Sequence, residues 1–586
     1  MMVSLLAAVI WGIAACILVT INCSTYSNFS SSSLIELRQS ERRLESHGLS
    51  RQTSTTHNNT NAEGQGQRAL FPKLSGFSDP KSTNSRTTPP IDRTDVSLDP
   101  NQTKAPDSVM AKYSLYKVLL TIPAFRRELY LLYYHPIKDE FHVYINEQKD
   151  GWVAALKNRI YQIMPMLAYA LRNHFPDRFN GESDFILLAS SGDEPKLDCS
   201  CFDKVTRSQH PICRNEDFAP ILQFGAVFQD GEILPSLVTM PLWHHLPCLR
   251  QWQQTNTICE TYKKRTLAAG VVGGEEAIKS RVGGVSIAAP PLEQVWDSLI
   301  PQVIWRGSDF GFIWCIHPLL RLIDFETDIA KRISLSQCRN NARGILQCLL
   351  QLWEILTPRW RAVFWTLQAE LDADEANKTA NSKGLSPVLP WIDAKFTVKT
   401  RVHGKPTDVK KIDRYTPYED YGLKVAARGF MTLSELSHYK YQFDIGGGGG
   451  TTFSGTIEKL AMPGVLFHHI TSTKDYYHDD LVPWMHYIPV EEGLSDLREM
   501  YEWAVANTEQ SMRISEAGSQ YVRSWANPKV IEQIYNKYFV ESLRRVVNAY
   551  QSSGEDVGEI MKERKWTLIA KGSGKDLRLM YTKDTD

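Results

Sequence analysis

Tyr439-Lys440-Tyr441-Gln442-Phe443-Asp444-Ile445, then Gly446, Gly447, Gly448, Gly449 and Gly450, then Thr451-Thr452-Phe453-Ser454-Gly455-Thr456-Ile457-Glu458-Lys459-Leu460, is the stretch whose reading decides the fold. An apolar, aromatic run ends in glycine, a segment of helical character follows, and Val465-Leu466-Phe467-His468-His469 reads as the next strand. Strand, turn, helix, strand is the unit from which α/β layers are built. Glycines let backbone N–H groups turn toward an anion, and a helix start adds positive potential. Five consecutive glycines match neither the dinucleotide fingerprint nor the phosphate-loop spacing. On the local pattern, a diphosphate cradle and a flexible linker both fit. His468 and His469 read as satisfied core histidines rather than ligands.

Working outward, Gln302-Val303-Ile304-Trp305 reads as a strand that ends in Arg306-Gly307-Ser308. Arg306 offers a planar fork of donors suited to a phosphate. Further upstream, Phe185–Ala189 is a continuous apolar run, as a buried parallel strand requires. The loop Ser190–Pro195 follows it and carries Asp193 and Glu194. Ligands gather beyond the carboxyl ends of strands in open α/β sheets. Asp193 stands at that position, with Glu194 as its competing neighbour and a plain turn aspartate as the bland alternative. Residues 127–147 read as a hairpin around His135-Pro136, residues 153–173 as an amphipathic helix, and Ile221–Phe228 as another strand. Asn527-Pro528 marks a helix start, with asparagine as cap and proline at the first helical position.

Taken in order, the glycine turn, Trp305-Arg306-Gly307-Ser308, Asp475-Tyr476-Tyr477 and Val482-Pro483-Trp484-Met485-His486-Tyr487-Ile488-Pro489-Val490 resemble the C-terminal half of glycosyltransferase family 90. That family holds protein O-glucosyltransferases and capsule-associated xylosyltransferases. The resemblance implies a GT-B architecture, with two facing Rossmann-like α/β domains and the nucleotide-sugar mostly on the second. It implies an inverting transfer of glucose or xylose from a UDP-sugar to a hydroxyl of a lumenal protein or glycan. The donor site would comprise Arg306, Gly307, Ser308, Gly446 to Gly450, Ser454, Lys459 and Asp475, with Asp193 as the catalytic base. The UDP-sugar is a co-substrate, and no further cofactor or essential metal is implied. One departure stands out. Thr456 occupies the place of a family arginine that meets the diphosphate, and Lys459 is the only basic residue in 451–460. A catalytically inactive nucleotide- or sugar-binding protein of the same fold is therefore the alternative function.

The chain has 586 residues, with Lys+Arg and Asp+Glu equal at 66 each, so nothing advertises a nucleic-acid surface. Residues 2–21 are apolar and uncharged. About 20 such residues span a bilayer, against about 7–15 in the apolar core of a cleaved signal. A signal-anchor over 1–22 is the expectation, although Arg38, Arg42 and Arg43 after the span favour the opposite orientation. Residues 23–110 are polar and read as a disordered stem bearing sequons at Asn28, Asn58 and Asn101, with another at Asn377. Anchor, stem and sequons together predict a type II membrane glycoprotein of the Golgi or endoplasmic reticulum with a lumenal catalytic part. The remaining boundaries are an acceptor-side domain over 111–289, a donor domain over 290–550 with a closing C-terminal helix, and a charged tail over 551–586. Cys199, Cys201, Cys213, Cys248 and Cys259 cluster, and some would pair in a lumenal domain. Asp372-Ala373-Asp374 is the one acidic triplet resembling a metal-dependent transferase, and it reads as a solvated face.

Overall fold

The computed structural model describes residues 110–124, 129–146, 153–192, 218–229, 232–233, 237–242, 245–257, 259, 292–307, 342–353, 356–397, 431–447, 452, 455–471, 473–573 and 577–580. All of them lie in one compact unit, Pro89–Asp586. The expected anchor and stem fall outside the described residues. Among the described residues no helix is long and apolar enough to cross a membrane.

The first half builds α1 (Leu115–Ala124), β1 (Leu129–His135), β2 (Glu140–Asn146), α2 (Val153–His174), β3 (Phe185–Ser190), β4 (Ile221–Gln223), β5 (Gly225–Gln229), β6 (Glu232–Ile233), β7 (Leu237–Thr239) and α3 (Leu246–Thr255). The expected hairpin is β1–β2, with Tyr130 opposite Ile145 and Tyr134 opposite Phe141. Its β1 strand is buried on both faces from Leu129 to Tyr134, so its sequence is a solid apolar run rather than an alternation. The turn is held by Asp139, which accepts from Tyr134 Oη at 2.5 Å and from Arg172 Nη1 at 2.6 Å. β3 pairs antiparallel with β1 and parallel with β4, and β4 pairs parallel with β7.

The second half builds α4 (Leu292–Trp296), β8 (Ile300–Gly307), α5 (Ala342–Gln351), α6 (Pro358–Ser382), β9 (Ile392–Phe396), α7 (Leu433–Leu436), β10 (Tyr439–Asp444), α8 (Gly455–Leu460), β11 (Val465–His469), β12 (Thr473–Asp475), β13 (Ile488–Val490), α9 (Leu497–Ala506) and α10 (Thr508–Ser524). Five strands form one sheet in the order β13-β11-β10-β8-β9, every pair parallel. In order of appearance this is 2-1-3-4-5, a doubly wound α/β order. One face buries Trp305, Phe443 and Phe467 against Trp360 and Phe364 of α6. Burial of each phenylalanine contributes roughly 1.5–3 kcal/mol. The other face turns Ile304 and Leu466 toward Ile457 and Leu460 of α8. Thr357 caps α6 by accepting from Trp360 N, with Pro358 in the first turn.

The chain then returns to the first sheet through α11 (Pro528–Tyr535), α12 (Glu541–Ala549), α13 (Val557–Glu563), β14 (Trp566–Gly572) and β15 (Arg578–Leu579). Asn527 caps α11 as expected, accepting from Lys529 N at 2.9 Å. Ser542 Oγ donates to Thr239 O at 2.8 Å, and Tyr113 N donates to Ala549 O at 3.0 Å. β14 pairs antiparallel with β2, giving a first sheet ordered β15-β14-β2-β1-β3-β4-β7. Two expectations change here. The charged tail over 551–586 contributes a helix and two strands, because Trp566, Ile569 and Ala570 bury against the first sheet. That sheet is also mixed rather than a parallel Rossmann-like sheet, since β1, β2, β14 and β15 meet antiparallel. A third, small sheet ties the halves together, with Asp475 of β12 opposite Gly225 of β5.

Candidate functional site at the sheet switch point

In the 2-1-3-4-5 order the chain leaves β8 toward one side and β10 lies on the other. A crevice forms beyond the carboxyl ends of those two strands. β8 ends in Arg306-Gly307 and β10 ends in Asp444, followed by Ile445, Gly446 and Gly447. Ile304 stands opposite Gln442, so two segments 140 or so residues apart in sequence finish side by side. Gly307 has a local reason to be glycine: a Cβ there would run into the indole of Trp305.

The glycine turn is anchored at its first residue. Gly446 N donates to His469 Nδ1 at 3.1 Å, and His469 Nε2 donates to Glu492 O at 3.0 Å. Burial pushes the His469 pKa down to about 4, so the ring is neutral at neutral pH with its proton on Nε2. On the carbonyl side, Arg359 Nε donates to Gly446 O at 3.1 Å and Arg359 Nη2 to Ile445 O at 3.2 Å. The Arg359 guanidinium also lies 5.4 Å from the centre of the Trp305 ring. Arg359 is absent from the sequence reading. Thr357-Pro358 signals a helix start there, but nothing local says which strand end that helix faces.

Below the turn sits a buried polar network. Asp444 accepts from Thr456 Oγ1 at 2.5 Å, from His468 Nδ1 at 2.9 Å and from His469 N at 3.3 Å. Thr452 and Thr456 share a hydroxyl–hydroxyl bond. Burial by itself would raise the Asp444 pKa. The charge and hydrogen bond of His468, the charge of Lys459 and the Thr456 hydroxyl outweigh it and hold the carboxyl at about 2. Thr456, the residue at the departure from the family pattern, is thus fully buried and bonded inward. His468 and His469 are buried, hydrogen-bonded core histidines, as read from the sequence.

The other expected residues fall in three places. Arg306 is drawn along the sheet: its Nη2 lies 2.6 Å from Asp393 Oδ2 and its Nη1 2.6 Å from Asp393 O. Lys459 folds back over the start of α8, its Nζ 3.5 Å from where a Cβ on Gly455 would stand. Burial pushes its pKa down, against the pull of Asp444 and Glu458. Asp475 is buried at the end of β12, where Tyr477 Oη donates to it at 3.4 Å. Tyr476 and Tyr477 are both core residues, and Tyr476 Oη lies 2.8 Å from His245 Nδ1. Asp193, Glu194, Ser308, Gly448, Gly449, Gly450 and Ser454 lie outside the described residues, as do Cys199, Cys201 and Cys213. Asp372 and Asp374 sit on the exposed side of α6, and among the described residues no cluster of metal-ligating side chains occurs. A cavity of about 550 Å³ between α4 and α10 is lined by Glu293, Glu509, Met512 and Glu516. It opens at the opposite, amino-terminal edge of the sheet, since Ser515 of α10 bonds Pro463 O and Gly464 O just before β11.

An all-parallel doubly wound sheet with a glycine turn and two cations at its switch point defines an α/β protein with a candidate anion site. Residues 414–553 match the family model of glycosyl transferase family 90. Protein O-glucosyltransferase 2 of Danio rerio is 31% identical over 115 residues, covering 19% of this chain and 21% of that protein. Protein O-glucosyltransferase 1 of Homo sapiens is 33% identical over 93 residues, covering 16% of this chain and 23% of the relative. Protein O-glucosyltransferase 3 of Rattus norvegicus is 24% identical over 143 residues, 23% of this chain and 27% of the relative. The matched part thus spans between a fifth and just over a quarter of these relatives' length.

Proposed function

We propose that this chain is an inverting, UDP-sugar-dependent glycosyltransferase of GT-B type acting on a hydroxyl of a lumenal protein or glycan. The observation that carries the reading is the meeting of Gly446, Arg359 and Lys459 beyond the carboxyl ends of β8 and β10, within the segment that matches the family. Basic groups there suit the diphosphate of a leaving UDP. In the reaction, the acceptor oxygen forms a bond to the anomeric carbon from the face opposite the nucleotide. The bond from that carbon to the diphosphate oxygen breaks, UDP leaves with the electron pair, and the hydroxyl proton passes to Asp193. The relatives' names favour glucose as the sugar, with xylose as the second candidate. The scheme is written without a metal, with basic groups opposing the charge that develops on the diphosphate.

A Golgi or endoplasmic-reticulum location with a type II anchor over 1–22 completes the reading. It draws support from the disulfide between Cys248 and Cys259, since such bonds persist in oxidising compartments. A second reading, a nucleotide-binding protein that no longer transfers sugar, is favoured by Thr456. The test is a donor screen on the purified full chain, detecting released UDP with UDP-glucose, UDP-xylose and other UDP-sugars in the presence of candidate acceptors. Turnover with one donor supports the enzyme. UDP binding with no turnover for any donor supports the second reading.

A further inference from the structure

We infer that Asn377 is a structural clip rather than a glycan acceptor, and that a glycan on its sequon and the folded return from α6 to β9 exclude each other. The sequon Asn377-Lys378-Thr379 lies inside α6, near the end of that helix at Ser382. The helix stops in a left-handed glycine turn. Gly384 has φ +66°, Leu385 N donates to Ala380 O at 3.0 Å, and Gly384 N donates to Asn381 O at 3.3 Å. The chain then doubles back until Val388 meets Asn377. Val388 N donates to Asn377 Oδ1 at 2.5 Å, and Asn377 Nδ2 donates to Val388 O at 3.0 Å.

Among the described residues these are the only hydrogen bonds made by 386–389. Packing adds little there, since Leu385, Val388 and Leu389 are 60%, 49% and 54% exposed. Beyond them the chain is held again: Pro390 O accepts from Gln302 Nε2 at 2.7 Å, and Trp391 is buried. One side-chain amide therefore closes the return into β9, the strand whose Asp393 holds Arg306.

The geometry of that amide conflicts with a sugar on its nitrogen. An unmodified asparagine nitrogen carries two hydrogens, one on the same side as Oδ1 and one on the opposite side. Two parallel bonds to the N–H and C=O of a single residue use Oδ1 and the hydrogen beside it. Glycosylation converts the group to a planar secondary amide, which strongly favours trans. The sugar then takes the position beside Oδ1, and the one remaining hydrogen points the other way. The bond to Val388 O is lost, and the sugar stands where the Val388 backbone lies. Thr379 completes the sequon without joining the clip, because its hydroxyl turns back to Glu375 O at 3.4 Å. Sequon and clip can thus be separated by mutation.

The experiment uses the full chain made in a secretory host, as parent, Asn377→Asp and Thr379→Ala. Lys383 is exposed, and limited trypsin cleavage of the Lys383–Gly384 bond reports opening of the return. Cleavage after the exposed Lys562 on α13 reports general loosening of the fold. Asn377→Asp keeps the shape and loses the donor. It should be cut at Lys383 about 5- to 10-fold faster than the parent, the range of one lost hydrogen bond, with cleavage at Lys562 unchanged. Thr379→Ala destroys the sequon and keeps the amide, so it should match the parent. In parallel, chains that resist trypsin are treated with an N-glycan-removing enzyme in heavy-oxygen water, and residue 377 is mapped by mass. It is expected to be unlabelled. A glycan on Asn377 in trypsin-resistant chains would overturn the exclusion. Parent-like resistance of Asn377→Asp, or faster cleavage at Lys383 and Lys562 together, would overturn the clip.

Discussion

His468 stands directly opposite Asp444 across the parallel pair β10–β11, and its Nδ1 lies 2.9 Å from both carboxylate oxygens. The pair is buried immediately beneath the glycine turn, and Thr456 donates to the same carboxylate from α8. The floor of the candidate donor site is therefore a hydrogen-bonded histidine–carboxylate pair.

Thr456→Val removes that hydroxyl at nearly constant volume and leaves a buried carboxylate oxygen short of a donor. Unpaired buried acceptors cost about 1–3 kcal/mol, more when charged. Urea unfolding should show a loss of that size, and Thr456→Ser should restore most of it. Parent-like stability in the valine variant would show that the bond contributes nothing net.

His469 makes the protein sensitive to acid. Its pKa is about 4 in the fold against an ordinary 6.5, so the unfolded chain takes up the proton first as pH falls. The stabilisation is complete above pH 6.5 and is lost as pH drops through about 4, amounting to about 3 kcal/mol in all. Asp444, at about 2, extends the same trend below its ordinary 3.8. His469→Gln should therefore show a flatter fall in unfolding free energy between pH 7 and 4.5 than the parent. Parallel curves would exclude a neutral, buried His469.

Gly518 lies on α10 where the helix presses against the turn after β12. A Cβ there would sit 2.6 Å from His486 O, a backbone atom that has no room to yield. Alanine favours a helix over glycine by about 1 kcal/mol, but overpacking costs about 1–3 kcal/mol. Gly518→Ala is expected to destabilise on balance, as a lower urea midpoint at unchanged slope. A raised midpoint would mean that α10 can shift outward without loss.

Asp193 is tested through rate. Asp193→Asn keeps shape and loses basicity, and a positioned base typically contributes about 10²–10⁴ in rate. Under the proposed function, transfer should drop by that factor while UDP affinity stays near the parent's, because a base in that role would serve the acceptor. A drop seen in Glu194→Gln and not in Asp193→Asn would move the role one residue along.

Much of the architecture was legible because it depends on local rules. The β1–β2 hairpin, the helix over Val153–His174, the strands at Phe185 and Ile300 and the cap at Asn527 all follow from periodicity, turn chemistry and capping. The C-terminal β14 escaped that reading. Its run Trp566–Gly572 is mixed in polarity, and it becomes a strand by pairing with β2, more than 400 residues earlier in the chain.

The sequence by itself determined the resemblance to the family over its matched segment, the strand–glycine–helix unit and the unusual Thr456, because residue identity and spacing are written in one dimension. Only the tertiary structure decided the strand order, and with it which chain ends share the crevice. It sent Arg306 to Asp393, brought Arg359 across from α6 to the glycine turn, and gave Thr456 to Asp444. The physical reason is that a long side chain is committed by whichever partner lies within about 3 Å. That neighbour is set by how distant strands pack, and neighbours in sequence say nothing of it.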